Sequence, residues 1–253
     1  MKLVVQARWK YLLAIFKIKR YIKTWYGMRR LDYRPKDIRM LTDTIREYET
    51  RARSVRKEPK TAAWIEQYGG ATAVLYDIGA NVGPYSLIAA ARGARVVAFE
   101  PAHQNIYKLH ENVLLNNLSE RIIVVPLALA SRSGAITAHV EDRTFGASHG
   151  FSLAETVSPT VRGQTLLAMG LDACIQAFSL PEPTMIKIDV DGAEIDVLEG
   201  AQTTLKNSKL SSMLIEVDDT NVVEITRRMT SVGFRKVDEE RSGRNTTNYI
   251  FER

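Results

Sequence analysis

Short apolar runs alternate with helical stretches along most of the chain from residue 71 onward. The apolar runs occupy residues 73–76, 96–99, 122–125, 185–190, 213–217, 234–237 and 248–251, and the helical stretches occupy residues 85–92, 103–116, 194–205 and 222–232. Buried strands of a parallel sheet have continuous apolar sequences, and helices connect them. The pattern therefore predicts an α/β fold with an open, mainly parallel sheet and helices on both faces.

The end of the chain departs from this alternation. Residues 242–247 are rich in turn-forming residues and are too few to hold a crossover helix before the apolar run 248–251. Antiparallel strands can be joined by a tight turn, whereas parallel strands need a longer crossover. The last strand is therefore predicted to pair antiparallel in a hairpin.

Residues 36–57 have a helical spacing ahead of the sheet. Pro35 precedes apolar positions that are three and four residues apart, namely Ile38, Leu41, Ile45, Tyr48, Ala52 and Val55. The spacing predicts one amphipathic helix, in which Glu47 supports Arg51 one turn later. We expect the narrow apolar stripe to pack against the body of the protein, and a coiled-coil homodimer is the alternative.

A basic, aromatic arm makes up residues 1–30, with nine Lys/Arg residues and no Asp or Glu. Its apolar side chains fall on two nearly opposite faces, which suits either an anionic membrane surface or docking between protein surfaces. The longest apolar stretch, residues 11–16, is too short to cross a bilayer or to act as a secretory signal. The arm thus predicts a cytoplasmic protein with peripheral membrane association or a protein partner.

Composition narrows the class of protein further. The 253 residues are 45% hydrophobic and 25% charged, and the single cysteine is Cys174. One principal globular domain is expected, and neither a disulfide scaffold nor a cysteine-ligated zinc site is available. The net charge of +6 arises in residues 1–60, which hold 18 basic and 6 acidic residues, so the remainder of the chain is mildly acidic.

The first predicted strand breaks into a glycine loop that leads into a helix. The segment contains Asp77, Gly79, Ala80, Asn81, Gly83 and Pro84. Glycine lets a backbone approach a ligand closely, and the first N–H groups of a helix have no partner within the helix. The functional interpretation is a nucleotide-binding turn, and the alternative is a tight turn without a ligand.

Glu100 ends the second predicted strand, 21 residues after Gly79. An acidic side chain at this place can accept hydrogen bonds from ribose hydroxyls. Asn81 stands where a dinucleotide site needs a glycine beside the pyrophosphate, which also disfavours a nicotinamide oxidoreductase. These features favour a nucleoside cofactor such as S-adenosylmethionine, with Asp77 close to its cationic groups.

A third charged segment follows the apolar run that starts at residue 185. Lys187, Asp189 and Asp191 are spaced two apart, and alternate residues of a strand face the same side. The strand is predicted to end at the same edge of the sheet as the first two, so these side chains are expected to line one wall of a cleft. Asp191 also forms a helix-capping pair with Glu194.

The combined motifs resemble those of the FkbM-type S-adenosylmethionine-dependent methyltransferases. The resemblance covers residues 64–253 and is carried by residues 77–83, 99–101, 128, 186–194 and 197–201. It implies a class I methyltransferase (Rossmann-like) domain over residues 71–253, with a seven-stranded sheet whose last strand is antiparallel. The basic arm, 1–30, and a helical extension, 31–70, would precede this domain.

The resemblance also implies a cofactor and a reaction. S-adenosylmethionine would be held by Asp77, Gly79, Ala80, Asn81, Gly83, Glu100, Pro101, Ala128 and Asp189. Family members mostly methylate hydroxyl oxygens of sugars, glycolipids or natural products. Two positions depart from the family, since Asp191 replaces a usual glutamate and Asp218 stands where histidine is common, while Glu216 matches the acid of the fifth strand.

Methyl transfer to an alcohol needs alignment of the reactants and a group that takes up the proton. We expect Asp189 to position the acceptor or the cofactor and to be a candidate base, with Lys187 beside it. His149 is a second candidate base, because it belongs to an irregular segment, residues 141–170, that could fold over the cleft and offer an imidazole; the alternative is a histidine on a surface loop. Because no histidine has metal-ligand spacing, the reaction is predicted to be independent of metal.

Two rival functions remain open from the sequence. The basic arm could bind phosphates of a nucleic acid, although the Asn/Asp-Pro-Pro-Tyr/Phe stretch of amino-methylating nucleic-acid enzymes is replaced here by residues 189–192. A non-catalytic, membrane-tethered binding protein on the same scaffold is the second rival, because a fold does not prove an activity. The intact cofactor motifs favour the enzyme.

Overall fold

The computed structural model describes residues 27–139 and 163–253, which contain twelve strands. In chain order these are β1 (Met28–Arg30), β2 (Arg39–Leu41), β3 (Val74–Ile78), β4 (Arg95–Phe99), β5 (Ile122–Val125), β6 (Ala128–Leu129), β7 (Gly134–His139), β8 (Gly163–Met169), β9 (Met185–Ile188), β10 (Ser212–Asp218), β11 (Arg235–Arg241) and β12 (Thr246–Glu252). Seven of them form the main sheet, in the order β11-β12-β10-β9-β3-β4-β5. The predicted apolar runs all lie in this sheet.

Strands β3, β4, β5, β9 and β10 pair in parallel, whereas β12 runs antiparallel to both β10 and β11. This confirms the predicted hairpin at the end of the chain. In the register of the sheet, Asp77 on β3 lies opposite Ala98 on β4 and Lys187 on β9. The carboxyl ends of the three central strands therefore meet at one edge of the sheet, as predicted.

The helices are α1 (Ile45–Glu47), a π-helix (Tyr48–Ala52), α2 (Ser54–Lys57), α3 (Pro59–Tyr68), α4 (Pro84–Ala91), α5 (His103–Leu115), α6 (Leu171–Phe178), α7 (Glu194–Glu199), α8 (Gln202–Lys206) and α9 (Val222–Ser231). One buried core contains residues of α3, α4 and α5, and a second contains residues of α6 to α9. The single predicted helix 194–205 is divided at Gly200, where a Cβ atom would lie 2.1 Å from the carbonyl oxygen of Ala130.

The prediction of one amphipathic helix over residues 36–57 is wrong. Residues 39–41 form β2, which pairs with β1, and the helical part is divided into α1, the π-helix and α2. Of the predicted apolar stripe, Ile38 and Ala52 are buried, whereas Ile45 is exposed. The backbone of β2 is bound from α5 and its C-cap, because Asn112 accepts a hydrogen bond from Leu41 N at 2.8 Å and Asn116 bonds both backbone groups of Arg39. These partners, distant in sequence, favour an extended backbone over a helix.

The N-terminal extension packs on the sheet domain rather than extending from it. Trp64 on α3 is buried and donates from Nε1 to Ser212 Oγ on β10 at 2.8 Å. Lys108 on α5 is buried and pairs with Asp43 at 2.6 Å, with Glu47 at 3.6 Å. Such a buried cation needs these carboxylates, so the ion pairs fix α1 to α5.

A small second sheet, in the order β6-β8-β7, lies beside the main one. It includes β8, which corrects the prediction that the whole segment 141–170 is irregular. The gap between residues 139 and 163 includes His149, which therefore lies outside the described residues, as do residues 1–26 of the basic arm. Within the two described ranges, every helix is too short or too polar to span a bilayer.

Candidate active site

The loop after β3 is shaped by contacts with its neighbours in the sheet. Gly79 N and Ala80 N both donate to the carbonyl oxygen of Phe99 at 3.0 Å. Gly79 has a φ of +82°, and a Cβ atom there would lie 1.8 Å from the carbonyl oxygen of Asp189. Glycine is therefore required by the close approach of the loop that follows β9.

Gly83 has a different reason to be glycine. It is the N-cap of α4 with a φ of 86°, and a Cβ atom would lie 2.3 Å from Leu109 Cδ1 on α5. Neither Gly83 nor Ala80 lines the pocket described below. These two predicted cofactor residues thus belong to the loop but do not face the pocket.

Glu100 connects this loop to the start of α5. Its Oε2 accepts from Asn81 N at 2.9 Å, and its Oε1 accepts from Ala102 N at 3.0 Å and Asn105 Nδ2 at 3.3 Å. The side chain is only 4% exposed, and burial raises its pKa to about 7, although the backbone donors oppose the rise. A carboxylate offers about four acceptor positions, so at least one is left for a ligand.

A pocket opens at the carboxyl edge of the sheet, with about 710 Å³ of space between its walls when the open mouth is counted. Six predicted cofactor residues line it: Gly79, Asn81, Glu100, Pro101, Ala128 and Asp189. Its apolar part is formed by Ile78, Phe99, Leu127, Leu129 and Ile136, and the remaining lining residues are Arg51, Asn105, Val190, Asp191 and Ala193. The strand ends thus form a concave site with an apolar region and an acidic one.

Asp77 is placed behind the pocket instead of in its lining. It is 1% exposed and accepts from Ser86 Oγ on α4 at 2.6 Å, while its Oδ1 has no hydrogen-bond partner among the described residues. Burial raises the pKa of this carboxyl, against the charge of Lys187. The predicted contact between Asp77 and a cofactor stays a prediction.

Lys187 and Asp189 form a buried ion pair, with Lys187 Nζ 2.7 Å from Asp189 Oδ2. Lys187 is 2% exposed, lies outside the pocket lining and has its ammonium 5.1 Å from the ring centre of Tyr85. Burial alone would raise the pKa of Asp189, but the charge and hydrogen bond of Lys187 outweigh it and lower the pKa to about 2. Asp189 is therefore ionised at neutral pH.

The strand β9 ends at Ile188, so the predicted alternation of Lys187, Asp189 and Asp191 along one wall does not hold. Asp189 and Asp191 lie in the loop and line the pocket, and Asp191 has a φ of 50°. Only Lys187 lies in the strand, where it forms the ion pair with Asp189. The prediction that these charged residues lie at one edge of the sheet is correct, but the prediction that all three share one face of a strand is wrong.

Glu216 on β10 completes an acidic group with Asp189 and Asp191, whose carboxylate oxygens lie within 4.8 Å of one another. Burial and the charge of Asp189 raise the pKa of Glu216 to about 8. Glu216 is therefore mostly protonated at neutral pH and shares a hydrogen bond with ionised Asp189. Such a group can hold a proton between its members, and three carboxylates can also ligate a divalent cation.

Two polar lining residues were missed from the sequence. Asn105 lies on the first turns of α5, where it bonds Glu100, and its position five residues after Glu100 is the signal that could have indicated it. Arg51 comes from the π-helix of the N-terminal extension. The predicted helical pairing of Arg51 with Glu47 is replaced, because Glu47 accepts from Thr44 N at 3.0 Å and approaches Lys108.

The chain is similar to known methyltransferases in sequence. The family described as the methyltransferase FkbM domain matches residues 77–236. The hexuronic acid methyltransferase AglP of Haloferax volcanii is 28% identical over 171 residues, which cover 66% of this chain and 65% of that protein. The match therefore spans slightly less than two thirds of the relative's length.

Two solved structures support the fold. An FkbM methyltransferase from Methylobacillus flagellatus superposes with a TM-score of 0.52 at 19% identity, covering 72% of this chain and 44% of the other. A ribosomal protein L11 methylase from Lactobacillus delbrueckii subsp. bulgaricus gives a TM-score of 0.50 at 13% identity and covers 77% of each chain. At these identities the likeness establishes the methyltransferase-like α/β fold alone.

Proposed function

The chain belongs to the FkbM methyltransferase family, and from this premise we propose that it transfers a methyl group from S-adenosylmethionine to a hydroxyl oxygen of a sugar, in a glycan, a glycolipid or a glycosylated natural product. The name of the relative, a hexuronic acid methyltransferase, supports a sugar as the acceptor. The observation that carries the proposal is the pocket at the ends of β3, β4 and β9, whose lining combines apolar side chains with the acids Glu100, Asp189 and Asp191.

The lining residues fit S-adenosylmethionine by their chemistry. Phe99, Leu127 and Leu129 offer an apolar surface for a purine ring, and Glu100 has acceptor capacity for ribose hydroxyls. Asp189 supplies a permanent negative charge for cationic groups. When bound, the sulfonium of the cofactor supplies an activated methyl group and a neutral thioether leaving group.

Asp189 and Glu216 are the residues that we assign to the acceptor proton. Asp189 lines the pocket and is 25% exposed at its side chain, so it can accept a hydrogen bond from an acceptor hydroxyl and orient it. Alone it is a weak base, because its pKa lies near 2. Glu216 titrates near pH 8, so the pair with both carboxyls ionised is the form that can take up the acceptor proton, and its population rises as the pH approaches 8.

Labelled S-adenosylmethionine tests the proposal directly. The protein is incubated with it and with separate glycan, glycolipid, small-molecule and RNA fractions, and calorimetry compares S-adenosylmethionine with NAD. We expect label in a sugar-containing fraction and binding of S-adenosylmethionine only. Label in RNA would support the nucleic-acid rival, and binding without transfer to any fraction would support the non-catalytic one.

The proposed reaction needs no metal, and chelation provides the test. Prolonged treatment with EDTA followed by gel filtration should leave the transfer rate unchanged. A loss of activity that Mg²⁺ restores would instead assign the carboxylates of Asp189, Asp191 and Glu216 to a cation.

A further inference from the structure

The N-terminal extension brings an arginine to the pocket from outside the residues that match the family. Arg51 lies in the π-helix Tyr48–Ala52, and π-helical turns occur often at functional sites. The matched region begins at residue 77. The pocket is therefore built partly from a segment that the family motifs do not include.

The backbone around Arg51 is fixed from two sides. Asp32 N donates to Ala52 O at 2.9 Å, and the Asp32 carboxylate accepts from Val55 N at 3.0 Å and Arg56 N at 2.8 Å. On the other side, the hydroxyl of Tyr85 on α4 lies 3.3 Å from the carbonyl oxygen of Ser54, within hydrogen-bond distance. The start of the side chain of Arg51 is thus held in place before any ligand binds.

Among the described lining residues, Arg51 is the one cation, and it stands with three acids, Glu100, Asp189 and Asp191. Burial pushes the pKa of all three carboxyls upward, and the positive charge of Arg51 acts against it in each case. The nearby ammonium of Lys187 is buried against Asp189 and is not in the lining. Arg51 is therefore the positive group that a ligand in this pocket would meet.

A zwitterionic ligand matches this set of charges. S-adenosylmethionine carries two positive groups, a sulfonium and an ammonium, and one negative group, the carboxylate of its methionyl part. The acids suit the positive groups, and the planar guanidinium of arginine suits a carboxylate, which it binds through two parallel hydrogen bonds. We propose that Arg51 binds the methionyl carboxylate of S-adenosylmethionine, so that the N-terminal extension forms part of the cofactor site.

This inference rests on the proposed function, and two ligands separate the two claims. S-adenosylhomocysteine has the carboxylate, whereas its decarboxylated analogue keeps the adenosine, thioether and ammonium groups and lacks only the carboxylate. Calorimetry with the wild-type protein should show roughly 10- to 100-fold tighter binding of S-adenosylhomocysteine, as expected for a charge-assisted hydrogen bond. This comparison needs no substitution and is independent of folding defects.

Three variants sharpen the test. Arg51→Met should weaken binding of S-adenosylhomocysteine by about 10- to 100-fold and leave the decarboxylated analogue within about threefold. Arg51→Lys should retain part of the preference, because a lysine keeps the charge but not the fork of donors. Arg56→Met, the matched control, removes the same charge from an exposed position five residues away and should change neither affinity.

Several outcomes would overturn the inference. If Arg51→Met weakens both ligands equally, Arg51 only shapes the pocket. If the Arg51→Met variant binds S-adenosylhomocysteine with unchanged affinity while its KM for a sugar acceptor rises, Arg51 binds a group of the acceptor and not the methionyl carboxylate. If the wild-type protein binds both ligands with equal affinity, the pocket takes the cofactor without recognising its carboxylate, and the proposed function stands alone. If it binds neither ligand, the proposed function fails together with the inference.

Discussion

The pocket holds its two main acids in different ways. Glu100 is surrounded by neutral donors, two backbone N–H groups and the amide of Asn105, and burial raises its pKa to about 7. Asp189 is bound by the full charge of Lys187 at 2.7 Å, and its pKa falls to about 2. Hydrogen bonds from neutral groups do not offset the desolvation of a buried carboxyl here, whereas an ionic partner does.

The difference gives the two acids different tasks. The charge of Asp189 is permanent over the physiological range, as orientation of a reacting hydroxyl requires. The charge of Glu100 depends on pH and on what the pocket binds, because its proton leaves when hydroxyl donors arrive. Substitutions at the ion pair, at Glu216 and at Glu100 test this contrast.

The largest expected effect follows from replacing the permanently charged acid. Asp189→Asn removes the acceptor for the hydroxyl proton and should lower the transfer rate by about 10²- to 10⁴-fold, with binding of S-adenosylhomocysteine still measurable. Initial rates with labelled cofactor check this, and Asp37→Asn, at an exposed position, is the control. Near-normal turnover would remove Asp189 from the mechanism.

Replacement of Lys187, the cation of the same ion pair, tests how much the pair contributes to the free energy of unfolding. Lys187→Met leaves Asp189 without its charged partner and should lower the free energy of unfolding by about 3–5 kcal/mol. Urea denaturation measures the loss, and Lys209→Met is the matched control. Lys209 pairs with Glu182 at a similar 2.6 Å but is exposed, so its loss should cost about 0–1 kcal/mol.

A double variant decides whether the pair acts as a unit. Lys187→Met combined with Asp189→Asn removes both charges, so it should be more stable than Lys187→Met alone. Additive losses would mean that the two side chains stabilise the fold independently. In that case Lys187 could not be the reason that Asp189 stays ionised.

The main sheet could be predicted because each of its strands is a continuous apolar run, and the short loop before β12 permits only a hairpin. The fold of the N-terminal extension could not be predicted in this way. The spacing of its apolar residues suits a helix, but the side chains that bind the backbone of β2 come from the end of α5, about seventy residues later. Local periodicity predicts burial for Ile38 and Ala52 correctly and for Ile45 wrongly. It does not show which distant groups bind the backbone.

The candidate site shows the same limit. The glycines of the loop are predicted ligand contacts; Gly79 lines the pocket and also lies against the backbone of Asp189, whereas Gly83 lies outside the lining and has a left-handed φ. Asp77 lies near the end of β3 as expected, yet it is absent from the pocket lining and accepts a hydrogen bond from Ser86. Sequence motifs predicted the edge of the sheet at which the pocket lies, whereas the side of the loop on which each residue lies depends on packing between strands.

The next effect concerns the acid that shares its proton with Asp189. Because Glu216 titrates near pH 8, the pair becomes a better base as pH rises. The transfer rate should therefore increase by roughly tenfold per pH unit below 8 and level off above it. Rates measured from pH 6 to 9 check this, with Glu216→Gln expected to lose the dependence and exposed Glu182→Gln to keep it. A flat wild-type profile would contradict the assignment.

The smallest expected effect is the pH dependence of cofactor binding through Glu100. Ribose hydroxyls donate hydrogen bonds and favour the ionised carboxylate, so binding must expel the proton that Glu100 holds below its pKa of about 7. Affinity for S-adenosylhomocysteine should be nearly constant above pH 8 and should weaken by roughly tenfold between pH 8 and pH 6. Glu100→Gln, which cannot titrate, should bind more weakly at pH 8 and show no such change, whereas Asp189, ionised throughout this range, cannot produce it. A pH dependence that persists in Glu100→Gln would assign the titration to another group, and the contrast between Glu100 and Asp189 would no longer hold.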